Sequence, residues 1–255
     1  MTQSVLVAKG LCKRFGGLRA VDGLDLELHH GEILGLIGPN GAGKTVTFNM
    51  ISGVYSPDEG EIFLGGRRIH GLPPHRVAAL GLGRTFQIVK PFSQLTVLEN
   101  VIVALGVSKY GSLKAIWGRW DKSSYRKAAM EKLEMVGLAE HADRKAGLLP
   151  LGNLRKLEIA RALCVTRSCL LLDESFSGLR QQETAQLEAL VRDVRRRGIS
   201  VLLIEHNMRV AMGLSDRVVV LDHGRKLCEG SPQEVSQDPR VIEAYLGEVE
   251  SRDAP

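Results

Sequence analysis

Gly38-Pro39-Asn40-Gly41-Ala42-Gly43-Lys44-Thr45 lies between the aliphatic run Glu32 to Ile37 and a segment of helical character. Every fixed position of G-x-x-x-x-G-K-[ST] is filled, in the strand-to-helix setting that gives the pattern its chemistry. The glycines let successive backbone amides curl around phosphate oxygens, and the helix N-terminus adds its positive end. Lys44 brings a point charge to the outer phosphates, and the Thr45 hydroxyl can reach Mg²⁺. Val46, next in the chain, completes the loop residues expected to touch a nucleotide. A tight glycine turn before a packed helix would account for the glycines, but it gives no reason for Lys44 and Thr45.

Outward from this octapeptide, short aliphatic runs at Glu32 to Ile37, Cys169 to Leu172, Ser200 to Ile204 and Arg217 to Leu221 alternate with longer segments of helical period. That is the α/β pattern, and it predicts a mostly parallel sheet covered by helices. Val21, Leu24, Leu26 and Leu28 ahead of His30-Gly31 read as a half-buried strand and a turn, so an antiparallel edge flanks the core. Between Pro91 and Leu149 strand signals vanish, and Thr96 to Leu105 and Ser123 to Val136 read as helices of an inserted lobe. The connector between them sets Trp117 and Trp120 among Lys114, Arg119 and Lys122, as a packed surface loop or a contact for lipid headgroups.

Three further sites carry chemistry. Leu170-Leu171-Leu172-Asp173-Glu174 ends a buried strand in adjacent carboxylates, where Asp173 can take a metal and Glu174 can polarise an attacking water. Val201 to Ile204 leads into Glu205-His206, placing the His206 imidazole where it can donate to a γ-phosphate. Gln87 opens a loop after Leu82 to Phe86, and its neutral amide can contact Mg²⁺ or orient water. Phe15, just before Gly16-Gly17, offers a flat face for adenine, although such aromatics more commonly pack a core.

Composition narrows the setting. With 255 residues, 44% hydrophobic and 25% charged, the chain can bury a sizeable core. No run of about 18 apolar residues appears, and Lys9, Lys13 and Arg14 interrupt the N-terminal hydrophobic residues, so a cytosolic chain is expected. Cys12, Cys164, Cys169 and Cys228 lack C-x-x-C spacing and read as reduced thiols. The net charge of +5 permits an acidic neighbour without requiring one.

Phe15, the phosphate loop, Gln87, the Leu149 to Leu163 segment, Asp173-Glu174 and His206 follow one another as in ATP-binding subunits of ABC transporters, and the resemblance covers nearly the whole chain. R-T-F-Q at Arg84 to Gln87, L-T-V-L-E-N at Leu95 to Asn100, L-E-I-A-R-A-L at Leu157 to Leu163 and E-A-Y-L-G at Glu243 to Gly247 resemble importers of branched-chain amino acids more narrowly. The resemblance implies a P-loop NTPase core with a mostly parallel sheet, an antiparallel β edge and an inserted helical subdomain. It places one ATP-binding domain at 5–248, with core 1–90 and 157–255 and helical subdomain 91–156. It implies ATP and Mg²⁺ as ligands, Lys44, Gln87, Glu174 and His206 as catalytic, and Thr45, Gln87 and Asp173 on the metal. It also implies two ATPase subunits packed head to tail, Gly152 of one reaching the other's ATP. Their expected companions are two membrane-spanning permease subunits and, indirectly, an extracytoplasmic substrate-binding protein, at the cytoplasmic face of the inner membrane. Gln87 and Pro91 to Glu99 would face those permease subunits.

The chain departs from the family pattern at named positions. Leu149-Pro150-Leu151-Gly152-Asn153 stands for the usual L-S-G-G-Q, Val46 for a second threonine, and Ser175 and Arg180 for a proline and an Asp or Asn. Pro150 suits a helix start, and the amides near Gly152 at the N-terminus of an Asn153 to Leu163 helix can still face a phosphate. A weakly hydrolysing regulatory subunit therefore stands as an alternative, as does a soluble ABC-type ATPase acting on nucleic acid or ribosomes. Arg192, Arg195, Arg196 and Arg197 could be read as a patch for the latter, but cations before Gly198 also complement a helix C-terminus. No nucleic-acid partner is expected.

Overall fold

The computed structural model describes residues 3–87, 90–106 and 122–252, so Trp117, Trp120, Lys114 and Arg119 lie outside the described residues. A six-stranded sheet forms the centre, in the order β10-β9-β3-β8-β7-β6. Its strands are β3 Ile33–Ile37, β6 Leu82–Arg84, β7 Cys169–Asp173, β8 Ser200–Ile204, β9 Arg217–Asp222 and β10 Arg225–Gly230. All neighbours run parallel except β9 and β10.

Every residue of β3, β7 and β8 is buried, which is why these strands read as continuous apolar runs instead of alternating ones. Alternation survives in where the side chains go. Leu34, Leu36, Cys169, Leu171, Leu202 and Ile204 enter one core, while Ile33, Leu170, Leu172, Val201 and Leu203 enter the other. The first core is closed by helix α1 (Lys44–Ile51) through Phe48, Met50 and Ile51, and by a second sheet. That sheet is antiparallel, with order β2-β1-β4-β5, built from β1 Ser4–Phe15, β2 Leu18–His29, β4 Glu59–Leu64 and β5 Arg67–Arg68. The expected antiparallel edge is thus a layer of its own. The sequence reading found β2 alone because β1 is interrupted by Lys9, Gly10, Lys13 and Arg14 and shifts register against β2.

The opposite core is closed by α3 (Val97–Gly106), α4 (Lys122–Met135), α5 (Leu151–Leu163), α6 (Gln181–Arg196) and α7 (Met208–Leu214). Short α2 (Pro74–Ala79) precedes β6, and α8 (Pro232–Gln237) and α9 (Pro239–Arg252) follow β10. Val97, Leu98 and Val101 of α3 meet Ala129 and Leu133 of α4 and Leu157 of α5 in this core. The two helices expected before Leu149 are therefore present, each within one residue of its predicted bounds. Helix α5, by contrast, begins at Leu151 instead of Asn153, with Pro150 in extended geometry at ψ 157° as its N-cap. Proline's fixed φ favours entry here, so Gly152 sits inside the first turn. All four cysteines are free thiols, Cys12 and Cys169 buried. No helix among the described residues is long and apolar enough to cross a membrane.

Leu203 is fully buried on β8 in the helix-facing core. Leu203→Ala is expected to cost about 2–5 kcal/mol, read as a lower urea midpoint at unchanged slope. An unchanged midpoint would contradict this packing.

Candidate active site

Parallel register decides where the chemistry gathers. Leu36 pairs with Ile204 across β3 and β8, and Asp173 pairs with Ile204 across β7 and β8, so these strands stop on one line. The Gly38–Thr45 loop, the Glu174 turn and the Glu205-His206 segment therefore leave the sheet at the same carboxyl edge, where α/β folds hold ligands. Arg84 pairs with Leu171, which delivers Thr85, Phe86 and Gln87 to that edge as well.

Gly43 forms the N-cap of α1 at φ 98°, and a Cβ there would overlap the Ala20 carbonyl oxygen. Only glycine fits both the backbone angle and the approach of β2. Lys44 folds over the loop, its Nζ donating to the carbonyls of Gly38 at 2.6 Å and Pro39 at 2.8 Å. The Lys44 charge is thereby held at the loop's centre, where phosphate oxygens would compete with those carbonyls. Thr45 is exposed beside it. Phe15 is 43% exposed and meets Tyr55 edge-on, with centroids 5.3 Å apart, an arrangement that leaves ring area accessible.

Glu174 follows β7 with φ 47°, a left-handed conformation costly for a residue with a Cβ. Its Oε2 accepts from Gln87 Nε2 at 2.8 Å, and its Oε1 lies 2.6 Å from His206 Nε2. Three residues singled out separately in the sequence thus form one hydrogen-bonded cluster. Because the Gln87 amide nitrogen faces Glu174, its carbonyl oxygen is the end suited to a cation.

Asp173 is buried, and its Oδ2 meets Arg84 Nη2 at 3.0 Å. Burial pushes the Asp173 carboxyl up while the Arg84 guanidinium opposes that shift. Arg84 is itself fixed by Asn49 Oδ1 at 2.8 Å and Ser52 Oγ at 2.6 Å, both on the α1 side. Thr45 and Asp173 line one cavity of about 730 Å³, together with Gln87, Phe92, Glu158 and Arg161. Among the described residues no three His, Cys, Asp or Glu side chains form a metal cage. A hydroxyl, one carboxylate and an amide oxygen are hard donors that fit Mg²⁺, an ion that usually keeps waters and phosphate oxygens in its shell.

Four neighbours escaped the sequence reading as site residues: Arg84, Arg155, Glu158 and Glu205. Arg155 Nη1 donates to the Gln87 carbonyl at 3.1 Å, and Glu158 Oε1 accepts from the Phe86 amide at 2.7 Å. Both project from α5 and are buried, and burial pushes the Glu158 carboxyl up. Glu205 is also buried and accepts from the Phe176 amide at 2.9 Å. The one signal for these residues was charge inside apolar, helical or strand-end runs. Gly152 is not drawn into the Gln87–Glu174–His206 cluster; a Cβ at that position would meet Glu183 of α6.

The family model described as "ABC transporter" matches residues 21–177. The chain belongs to the ABC transporter family. A second family model, "Branched-chain amino acid ATP-binding cassette transporter", matches residues 225–251. The chain is 44% identical over 255 residues to the high-affinity branched-chain amino acid transport ATP-binding protein LivG of Salmonella typhimurium, covering 98% of this chain and 100% of that one. It is 41% identical over 257 residues to the corresponding protein BraF of Pseudomonas aeruginosa, again covering 98% and 100%. Among solved structures, the ADP conformation of MJ1267, an ATP-binding cassette of an ABC transporter, superposes with a TM-score of 0.86 at 30% identity, over 96% of this chain and 100% of that one. This ABC cassette accordingly has the P-loop NTPase core that the octapeptide implied, and its family binds nucleotide.

Burial, reinforced by the Glu174 charge, pushes the Glu205 carboxyl to about 7 from an ordinary 4.5. The folded chain therefore holds a proton that the unfolded chain releases, and stability falls as pH rises through that window. Glu205→Gln removes this penalty. Its melting temperature relative to the parent is expected to be higher at pH 8 than at pH 5, and a pH-independent difference would refute the assignment. Independently, Gly43→Ala should abolish binding of a fluorescent ATP analogue, since strain and overlap fall on the loop itself.

Proposed function

We propose that this chain hydrolyses ATP to energise an importer of branched-chain amino acids. The observation that carries the catalytic part is the Glu174 carboxylate, held between Gln87 and His206 at the edge where the phosphate loop leaves the sheet. Glu174 is the general base: it takes a proton as a water oxygen attacks the γ-phosphorus and the bond to the ADP oxygen breaks. His206 donates a hydrogen bond to the γ-phosphate, and Gln87 orients the water. Lys44 and the Gly38 to Thr45 loop, through the amides of its residues other than Pro39, bind the β- and γ-phosphates, Val46 lies against them, and Phe15 stacks on adenine. Thr45, Asp173 and Gln87 would hold Mg²⁺, which would supply neutralisation of phosphate charge.

The cargo rests on the branched-chain relatives and on the family match at residues 225–251. Partner subunits follow from membership of a transporter family, since the described residues contain no spanning helix. Residues 91–156 serve as a helical subdomain, and the cavity bounded by Phe92, Glu158 and Arg161 receives the permease subunits at the cytoplasmic face of the membrane. Phe92 stacks under Arg161 at 5.1 Å, and Arg161 also holds the Lys90 carbonyl at 3.0 Å, so an occupant of this cavity would press on the chain that carries Gln87. A second ATPase subunit supplies Gly152 and the amides around it to the nucleotide held here. An extracytoplasmic binding protein delivers the cargo.

The comparisons do not favour action on nucleic acid, and the basic end of α6 has another use. Arg195 pairs with Asp216 at 2.8 Å, while Arg196 and Arg197 pair with Asp193.

Uptake of labelled leucine, isoleucine and valine by cells lacking the gene should be restored by the parent sequence and not by Glu174→Gln. In the assembled transporter the same variant should lower ATP hydrolysis on the order of 10²- to 10⁴-fold. Parent-like hydrolysis by Glu174→Gln would remove it as the base; uptake independent of the gene would remove the cargo while leaving the ATPase assignment.

A further inference from the structure

Glu174 cannot adopt its working position on its own. At φ 47° its backbone lies in a region that side chains with a Cβ avoid, so the surrounding structure must hold it there. Two ties reach the turn from the end of β8. The Glu174 amide donates to the Ile204 carbonyl at 2.9 Å, and the Phe176 amide donates to Glu205 Oε1 at 2.9 Å. On the far side the Ser175 hydroxyl meets Thr85 Oγ1 at 3.0 Å. Only one of the two β8 ties depends on a side chain, and that side chain is 3% exposed.

A buried carboxylate beside another carboxylate is an expensive acceptor, and Glu205 serves two backbone amides with it, that of Phe176 and that of His206. Its neighbours are the Glu174 carboxylate, the His206 backbone amide and the Arg155 guanidinium from α5. It does not face the cavity lined by Thr45 and Asp173. Its Phe176 partner is main chain two residues after Glu174, which places it behind the reacting atoms.

We propose that Glu205 is a positioning residue for Glu174: by holding the Phe176 amide it clamps the left-handed turn that aims the Glu174 carboxylate between Gln87 and His206. Glu205 acts through the placement of Glu174, and so the inference rests on Glu174 being the base. The clamp requires an acceptor oxygen at this place and not a negative charge, because an amide carbonyl serves the Phe176 N–H equally well.

The test uses the reconstituted transporter with MgATP and two substitutions of similar volume. Glu205→Gln keeps an acceptor, whereas Glu205→Met fills the space with a thioether that accepts poorly. Glu205→Met is expected to lower kcat roughly tenfold to a hundredfold, the effect of leaving one buried donor unpaired, with KM for MgATP changed by no more than about twofold. Glu205→Gln should restore kcat to within about threefold of the parent. In single-turnover hydrolysis of γ-labelled ATP, Glu205→Met should cause no further loss in a Glu174→Gln background, since a residue acting through Glu174 has nothing left to position.

Parent-like kcat for Glu205→Met overturns the proposal, as does a Gln variant as slow as the Met variant, or an undiminished loss in the Glu174→Gln background. If the Met variant does not fold, a Gln variant more than tenfold slow in kcat overturns it equally. Parent-like turnover by Glu174→Gln alone would instead show that the base assignment has failed, an outcome distinct from failure of the clamp.

Discussion

Leu202 and Ile204 of β8 point into the core shared with the antiparallel sheet, while Val201 and Leu203 point into the helix-covered core. With both faces buried, a one-residue slip of β8 would exchange every side chain between two cores of different shape. That constraint pins the register of the central strands, and with it the line along which they end. The rest of the candidate site depends on this line, because the phosphate loop, Glu174 and His206 each occupy the first few residues after a strand. The Glu174 carboxylate just after β7 and the His206 imidazole just after β8 come within 2.6 Å because Asp173 and Ile204 are register partners.

Around this fixed edge, positioning is carried by buried charges. Arg84 joins Asp173 to α1 by way of Asn49 and Ser52. Arg155 and Glu158 hold the backbone of Gln87 and Phe86 from α5. Buried ion pairs give little net stability, since desolvation offsets most of their attraction. Their value here is directional: each bonds groups on different elements and fixes a distance that apolar packing would leave loose. Through Arg155 and Glu158, α5 is mechanically tied to Gln87, and through Gln87 to Glu174. A displacement of α5 therefore has a short path to Glu174.

Much of this was legible in the chain. The octapeptide and the aliphatic runs predicted the parallel core, and adjacent carboxylates after a buried strand marked Asp173 and Glu174. The helices read at Thr96 to Leu105 and Ser123 to Val136 are present within a residue of those bounds. The second sheet was underestimated because β1 gains its partners from distant residues, Ser4 to Phe15 pairing with both Leu18–His29 and Glu59–Leu64. Such pairing leaves only a weak local period when lysine, arginine and glycine interrupt the strand. The helix was expected from Asn153 and begins two residues earlier, at Leu151, directly after the Pro150 that the sequence already marked as a helix start.

By itself, the sequence determined the kind of chemistry: a glycine loop able to wrap phosphate, a lysine and a threonine placed to use it, and carboxylates, an imidazole and an amide at strand ends. These are local properties, written in residue type and short spacing. Only the tertiary structure decided which of them meet, and which buried partners hold them. Gln87, Glu174 and His206 are separated by 87 and 32 residues along the chain, yet share one carboxylate. Arg84, Arg155, Glu158 and Glu205 look like ordinary charges until folding removes their water. A charge acquires a directional role only when desolvation makes its remaining hydrogen bonds obligatory, and desolvation belongs to the packed whole.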